Sequence, residues 1–520
     1  MQSSGMKAYL LVKDIPAQVQ TDNIRAAMTV ASIVKTCLGP RAMQKMVLTR
    51  IGSIELTNDG NSILREIDVA HPAAKTLIEL SKTQDEEVGD GTTSVILLAA
   101  QILNNMSDLL EQIHPIKITQ ALSKGLNLCL ESMKLLTVDL KKDEEEKLNI
   151  IRSTVGTKLC SLLGIKMEEL AYKAIKNICT ENSGIKRIDI KNDLRVEKII
   201  GNYNECEILD GILLNKNIYH PQMRKEIENP RILVIDFPLE YKKGESQTNY
   251  EFKNAEAFKR ALEIEEENIK EMCDKIIELK PDILLTEKGI SDYAMSLLFS
   301  NNITAIRRIK KTESNRMVKA CGGIVVGSLE DLSEKVIGTK CKSFNYLKIG
   351  EEYYCKFDKC VDAKACSVIL KAPSKDLINE LERNFYDAVK VAKNLFLFPK
   401  MCPGGGATEM SLSLMLDKFK GNEIEEKVLK RLAEALQIIP IILAKNSGVN
   451  NPLGLIQLLE KKQKENKFNG IDGVKGEVVD VRGKIMEPVV VKIQMLKSAI
   501  EAANVILRVD GVIHSGSKNN

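Results

Sequence analysis

The sequence predicts a multidomain protein of mixed α and α/β class, in which a discontinuous helical domain is interrupted by an α/β insert. Three observations predict it. Apolar residues recur at helical spacing near both chain ends, short β-rich runs fill the middle, and 520 residues suit about three domains at ~150 residues each. With 44% hydrophobic and 28% charged residues, the composition excludes disorder over most of the chain. The 75 Lys and Arg nearly balance 71 Asp and Glu, so no basic excess marks nucleic acid as a main partner.

Along the chain, Ile24, Ala27, Met28, Ala31, Ile33 and Val34 fall at near-helical steps and stop at Leu38-Gly39-Pro40. Further helices are expected over residues 62–66, 73–83, 92–106 and 118–135, which makes the first ~138 residues an all-helical block. The charged run Lys141-Lys142-Asp143-Glu144-Glu145-Glu146-Lys147 marks a surface boundary. From about residue 186, β-rich runs follow at 208–214, 231–237, 282–286, 303–309, 323–326 and 367–370, with helical segments between several of them. Inside this region Ala255, Phe258, Leu262, Ile269, Met272 and Ile276 form a narrow apolar stripe on a helix dense in Glu and Lys. Two readings fit it, an amphipathic surface helix or a projecting arm. From Asp376 the helical texture returns to Val505, with a hairpin-like interruption over residues 470–491. The ends resemble each other and the middle differs, so the two ends are expected to share one domain around an insert flanked by hinges.

The apolar run at residues 95–100 falls well short of the ~20 that span a bilayer, so no transmembrane helix is expected. The first residues offer too few apolar positions for a signal-peptide core, which leaves the cytosol as the expected compartment. Twelve cysteines lie scattered without a C-x-x-C pair, and free thiols are the plain reading. The irregularly spaced Cys341, Cys355, Cys360 and Cys366 offer only a weak zinc pattern. Four distant histidines give no local support to a His-based catalytic site.

Chemistry concentrates elsewhere. Gly89-Asp90-Gly91-Thr92-Thr93-Ser94 precedes an apolar helix: glycines permit close backbone approach, hydroxyls and free N–H groups suit phosphate oxygens, and Asp90 is a hard ligand for Mg²⁺. A helix start capped by Thr or Ser is the equal alternative. Thr57-Asn58-Asp59-Gly60-Asn61 reads first as an Asx-type turn. Pro403-Gly404-Gly405-Gly406-Ala407 opens an apolar helix at an entropic cost that predicts something large against its backbone. The Gly483-Lys484 pair is followed by Ile485 and preceded by Val478 where a Walker A loop needs glycine, and no G-x-G-x-x-G exists. Asp387, on the helix leading to the triple glycine, is either a solvated helix residue or a carboxylate that orients water toward a γ-phosphate.

Together these pieces resemble the group II chaperonins. Leu38-Gly39-Pro40, Thr57-Asn58-Asp59-Gly60, Gly89-Asp90-Gly91-Thr92-Thr93-Ser94, Pro403-Gly404-Gly405-Gly406-Ala407 and Glu487-Pro488 stand in that family's order and spacing, with the match running from about residue 23 to 513. Within the insert, His220-Pro221-Gln222-Met223-Arg224, residues 239–248, Thr286-Glu287-Lys288-Gly289-Ile290-Ser291-Asp292 and residues 303–308 resemble the gamma-type subunits of the eukaryotic cytosolic chaperonin, TRiC or CCT.

The resemblance implies a chaperonin fold: an equatorial ATPase domain from residues 1–140 and 403–520, an intermediate hinge domain from 141–207 and 369–402, and an apical substrate-binding domain over 208–368. A helical lid protrusion would lie near 243–280. It implies that Asp90 binds Mg²⁺ and that Gly39, Gly91, Thr92, Thr93 and Ser94 hold the phosphates of ATP or ADP. Thr157, Lys158, Gly405, Gly473, Val474, Glu487 and Lys492 would complete the pocket, with Glu487 at the ribose. Val474 replaces a commonly polar residue and could offer only backbone or packing. Asp59 and Asp387 would be the hydrolytic carboxylates, the second delivered by closure of the hinge domain. Cys360 and Cys366 match a gamma-type pair. The implied partners are seven paralogous subunits in a hetero-oligomeric double ring of eight per ring, and unfolded clients such as actin and tubulin, in the cytoplasm, with no nucleic acid and no membrane. A ring subunit with little ATPase of its own, and a small-molecule kinase, are the competing readings.

Overall fold

The computed structural model describes residues 16–49, 52, 54–140, 143–156, 158, 160, 163–241 and 255–511. Its contacts form two compact units, one joining residues 1–168 with 383–520 and the other comprising 169–382. The two chain ends therefore share a unit.

That unit is built around the helix Thr92–Leu110, whose Val95, Ile96, Leu98, Ile102, Leu103 and Met106 are all fully buried. A helix this apolar needs cover on all sides. Pro16–Val34, Pro72–Val88, Glu423–Leu436 and Val489–Leu507 supply it, so early and late segments meet in one core. Each large side chain sequestered there contributes roughly 1.5–3 kcal/mol.

The early segment is not wholly helical, contrary to expectation. Lys45–Leu48 and Ile54–Thr57 pair antiparallel, with Met46 opposite Leu56 and Leu48 opposite Ile54. Gly52 turns the chain at φ 81, its N–H donating to the Thr49 carbonyl at 2.9 Å, and such a conformation is incompatible with a continuing helix. A second departure matters more for function. Lys400–Pro403 lies between Met486–Pro488 and Val138–Asp139 in a three-stranded sheet, with Cys402 opposite Glu487. The expected late hairpin is present as Asn469–Asp472 paired with Glu477–Asp480.

The inserted unit carries a four-stranded parallel sheet in the order Thr304–Ile306, Ile283–Thr286, Ile232–Ile235, Val325–Val326. Ile232, Leu233, Val234 and Ile235 are all buried, as strands covered on both faces require. An antiparallel sheet contains Ser343–Ile349 and Glu352–Asp358, a pair absent from the sequence expectation. The strand expected over 208–214 is two strands, Glu207–Leu209 and Ile212–Leu214. They break at Gly211, where a Cβ would come within 2.1 Å of the Phe357 carbonyl oxygen.

The striped helix runs Ala255–Glu278, and its stripe divides. Ile269, Cys273 and Ile276 join the core of this unit, whereas Phe258, Leu262 and Ile264 are exposed. All twelve cysteines are free. Cys360 and Cys366 are not paired with each other, and Cys366 Sγ approaches the Ala174 carbonyl at 3.9 Å. Among the described residues, no His, Cys, Asp and Glu side chains cluster as a metal cage, which removes the zinc reading, and no helix is long and apolar enough to cross a membrane.

Candidate nucleotide site

The Pro72–Val88 helix ends at Gly89 with φ 71, and Thr92–Leu110 begins at Gly91 with φ 78, so two left-handed glycines flank Asp90. Gly91 has no side chain with which to cap the new helix. The first-turn N–H groups of Thr92, Thr93 and Ser94 therefore lack a side-chain cap and can serve an anion. This decides against a Thr or Ser cap. Asp90 Oδ1 accepts from the Gly91 N–H at 2.7 Å, leaving its other oxygen for a cation. Burial pushes the Asp90 carboxyl above its ordinary range, opposed by that N–H and by Lys158.

A second helix start has the same construction. Gly406, at φ 75, precedes Ala407–Asp417 and again gives no side-chain cap. What lies against the three glycines is partly the protein itself: a Cβ on Gly405 would sit 2.6 Å from the Ile471 carbonyl oxygen, and one on Gly406 2.8 Å from Pro440 Cβ. The strand pairing brings Glu487 to the same edge. Lys492 Nζ contacts Glu487 at 2.8 Å and the wholly buried Glu409 at 2.7 Å. Burial raises the Glu487 carboxyl despite Lys492. Burial also works against the Lys492 ammonium, but Glu409 and Glu487 outweigh it and raise its pKa.

Asp59 caps the helix Gly60–Glu66, with Oδ2 accepting from the Ser62 N–H at 2.9 Å and Oδ1 from the Thr92 hydroxyl at 3.2 Å. It is therefore both turn residue and site residue. Burial alone would raise its carboxyl; Lys158 and the Ser62 and Thr92 hydrogen bonds overcome this and hold it low. Lys158 also forms an ion pair with Asp387 on the helix Lys375–Leu397. Burial opposes the Lys158 charge, but Asp387 and Asp59 reverse the balance and raise its pKa. Asp387 itself is pushed up to about 7 by burial, against the pull of Lys158. Two neighbouring carboxylates thus differ in proton affinity, the division expected of groups with different tasks.

A cavity of about 410 Å³ collects these groups. Gly39, Asp59, Asp90, Gly91, Thr92, Thr93, Ser94, Lys158, Asp387, Gly405, Gly473, Val474, Glu487 and Lys492 all line it. Thr157 lies outside the described residues. Sequence reading missed the apolar wall that Ile439, Leu443, Ile471, Val491 and Met495 form with Leu38, since these five resemble ordinary core residues along the chain. It also missed Glu409, which holds Lys492 from beneath. A pocket with uncapped helix starts and an apolar wall fits a nucleotide, with phosphates at the former and base at the latter. Mg²⁺ fits as well, since it is often held by one or two carboxylates together with substrate phosphates and water. Asp90 supplies such a carboxylate.

Residues 30–517 match the model of the TCP-1/cpn60 chaperonin family. The chain belongs to this family. TCP-1/cpn60 chaperonins are ATPases coupled to protein folding, and this chain is an ATP-dependent folding subunit of that kind. It is 55% identical over 512 residues to T-complex protein 1 subunit gamma of Encephalitozoon cuniculi (strain GB-M1), covering 98% of each chain. The protein of the same name in Schizosaccharomyces pombe is 47% identical over 98% of this chain and 97% of its own. The human one is 45% identical over 96% and 93%. The gamma-type features read in the insert agree with these relatives.

Proposed function

We propose that the cavity binds and hydrolyses Mg²⁺-ATP, and that hydrolysis closes a lid over unfolded clients. The observation that carries this reading is the convergence of two uncapped helix starts with Asp59, Asp90 and Asp387 on one cavity. The first-turn N–H groups and the hydroxyls of Thr92, Thr93 and Ser94 hold phosphate oxygens, with Gly39 and Gly405 giving backbone access. Asp90 would hold Mg²⁺, which when bound would supply charge compensation for the phosphates. Asp59, kept ionised by Lys158, orients the attacking water, and Asp387 accepts its proton. Lys158 offsets the negative charge of both carboxylates on that side of the pocket. Glu487 accepts from the sugar hydroxyls while Lys492 fixes its orientation; Gly473 and Val474 offer backbone and packing.

The wider reading divides the chain into equatorial, intermediate and apical domains with the boundaries given above. It places the subunit with seven paralogues in a cytoplasmic double ring of eight per ring, with actin and tubulin among its clients. The names of its relatives, subunits of a T-complex protein, support a hetero-oligomer. Single-turnover hydrolysis by rings carrying Asp387→Ala in this subunit alone tests the ATPase. The amount of ATP hydrolysed should fall by this subunit's share, whereas an unchanged amount would leave it a structural ring member. Negative-stain images of the purified complex should show two stacked rings.

A further inference from the structure

We propose that Asp85 is a positioning residue for hydrolysis, a single carboxylate that ties together the three elements carrying Asp59, Asp90 and Asp387. The inference rests on the reading of Asp59 and Asp387 as the hydrolytic pair.

Asp85 lies in the last turn of Pro72–Val88, immediately ahead of the Gly89-Asp90-Gly91 loop. Its two oxygens serve different elements. Oδ1 accepts from Lys390 Nζ at 2.7 Å, and Oδ2 accepts from Asn61 Nδ2 at 3.0 Å. Lys390 stands one turn beyond Asp387 on Lys375–Leu397, at the three-residue spacing that puts both on one helix face. Asn61 lies in the first turn of the helix that Asp59 caps. The carboxylate thus joins one hydrolytic element to the other, while its own backbone leads into the loop of the proposed metal ligand.

Lys390 strengthens the tie in two further ways. Its ammonium also donates to the Asp85 carbonyl at 3.0 Å, and its stem lies across Gly89, where a Cβ would come within 2.3 Å of Lys390 Cβ and Cδ. One turn later, Asn394 Nδ2 donates to the Val88 carbonyl at 2.9 Å. The Asp387 helix is therefore fastened to the last turn of Pro72–Val88 at both Asp85 and Val88, immediately ahead of the phosphate loop's first residue. Stability alone does not require both oxygens of one carboxylate to be divided between the two hydrolytic elements. Relative placement does, because a misplacement of ~1 Å can cost ~10²-fold in rate.

The test uses assembled complexes carrying Asp85→Ala, Lys390→Met or Asp387→Ala in this subunit only. Photolabelling with azido-ATP measures nucleotide binding by this subunit, and single-turnover analysis measures hydrolysis of the nucleotide it holds. Lys390→Met keeps the stem over Gly89 and removes only the charge, so it serves if Asp85→Ala fails to assemble. Both are expected to slow hydrolysis by about 10–100-fold, with binding held within about threefold. The double variant should be no slower than either single one, since both break the same tie. Hydrolysis within about twofold of normal in both, or binding and hydrolysis falling in parallel, would overturn the positioning role. If Asp387→Ala itself hydrolyses normally, the underlying reading fails; if it is inactive while Asp85→Ala and Lys390→Met are not, only the inference fails.

Discussion

Both units bury a few charged side chains, but the helical unit gathers its charges around one cavity, whereas the inserted unit buries Asp193, Arg316 and Glu380 away from any such cavity among the described residues. Glu409 and Lys492 pair with side chains only 1% and 5% exposed, and Asp59, Asp90, Lys158 and Asp387 gather around one cavity. In the insert, the parallel sheet is fully apolar at Ile232–Ile235, and even the buried Asp193 pairs with Lys319, whose side chain is 46% exposed. Burying paired charges seldom stabilises a fold, because desolvation offsets the attraction. Their convergence on one cavity of the helical unit therefore marks where chemistry takes place, and the insert is organised around packing and surface contact instead.

The largest expected effect tests that division directly. Asp387→Asn should slow hydrolysis on this subunit by roughly 10²–10⁴-fold, the range for loss of a positioned base, while nucleotide still binds. The native subunit should also respond to pH. With the Asp387 carboxyl pushed up to about 7, the base is protonated below that value and ionised above it. Single-turnover rates should therefore rise with pH, from about a tenth of the plateau at pH 6 to the plateau above about pH 8. A rate flat between those limits would place the essential base elsewhere.

Next comes the buried triad. Lys492→Met would leave Glu409 and Glu487 without their shared cation, and stranding a buried charge costs roughly 3–5 kcal/mol. Denaturation of the variant should show that loss in the helical unit, whereas the double change Lys492→Met with Glu409→Gln should recover part of it. If Lys492→Met is neutral, these charges are better solvated than their burial indicates and the contrast between units weakens.

The legibility of the two units follows the same contrast. The loop from Gly89 to Ser94 could be read because its function demands rare residue types in a short stretch. Asp387 could be placed only through family resemblance, since an acidic residue on a charged helix looks ordinary. Asp85, Glu409, Ile439 and Met495 left no local mark: each has the type expected of a helix surface or a core, and only folding brings them together. The Lys45–Leu48 and Ile54–Thr57 pair, lying between expected helices, leaves no strand signal of its own because four-residue runs are too short for their periodicity to separate the two states. In Ser343–Ile349, interleaved Asn and Lys hid a strand whose Phe344 is wholly buried.

A change in the core of the insert examines how separable the two units are. Phe344 packs on Phe357 with ring centroids 4.9 Å apart, and both are fully buried. Phe344→Ala should destabilise the insert by about 3 kcal/mol, the lower end for such a cavity. Hydrogen exchange should quicken in Ser343–Ile349 and Glu352–Asp358, with nucleotide affinity unchanged within about twofold. A tenfold loss of affinity would show that the core of the insert helps to shape the nucleotide site.

The smallest expected effect lies on the divided helix. Phe258 and Leu262 are 51% and 45% exposed, so Leu262→Ser removes little contact that folding creates and should alter stability by less than ~0.5 kcal/mol. Ile276, on the same stripe, is fully buried in the core of the insert. Ile276→Ser would both vacate its packing and bury a hydroxyl, and should cost several kcal/mol, on the order of other large-to-small core changes. Thermal melts of the two variants therefore separate two uses of one apolar pattern. The seated half holds the fold together, while the outer half is kept apolar without a return in the stability of the chain. Equal melting shifts would mean that the outer half packs in solution as firmly as the inner, against the exposure of Phe258 and Leu262.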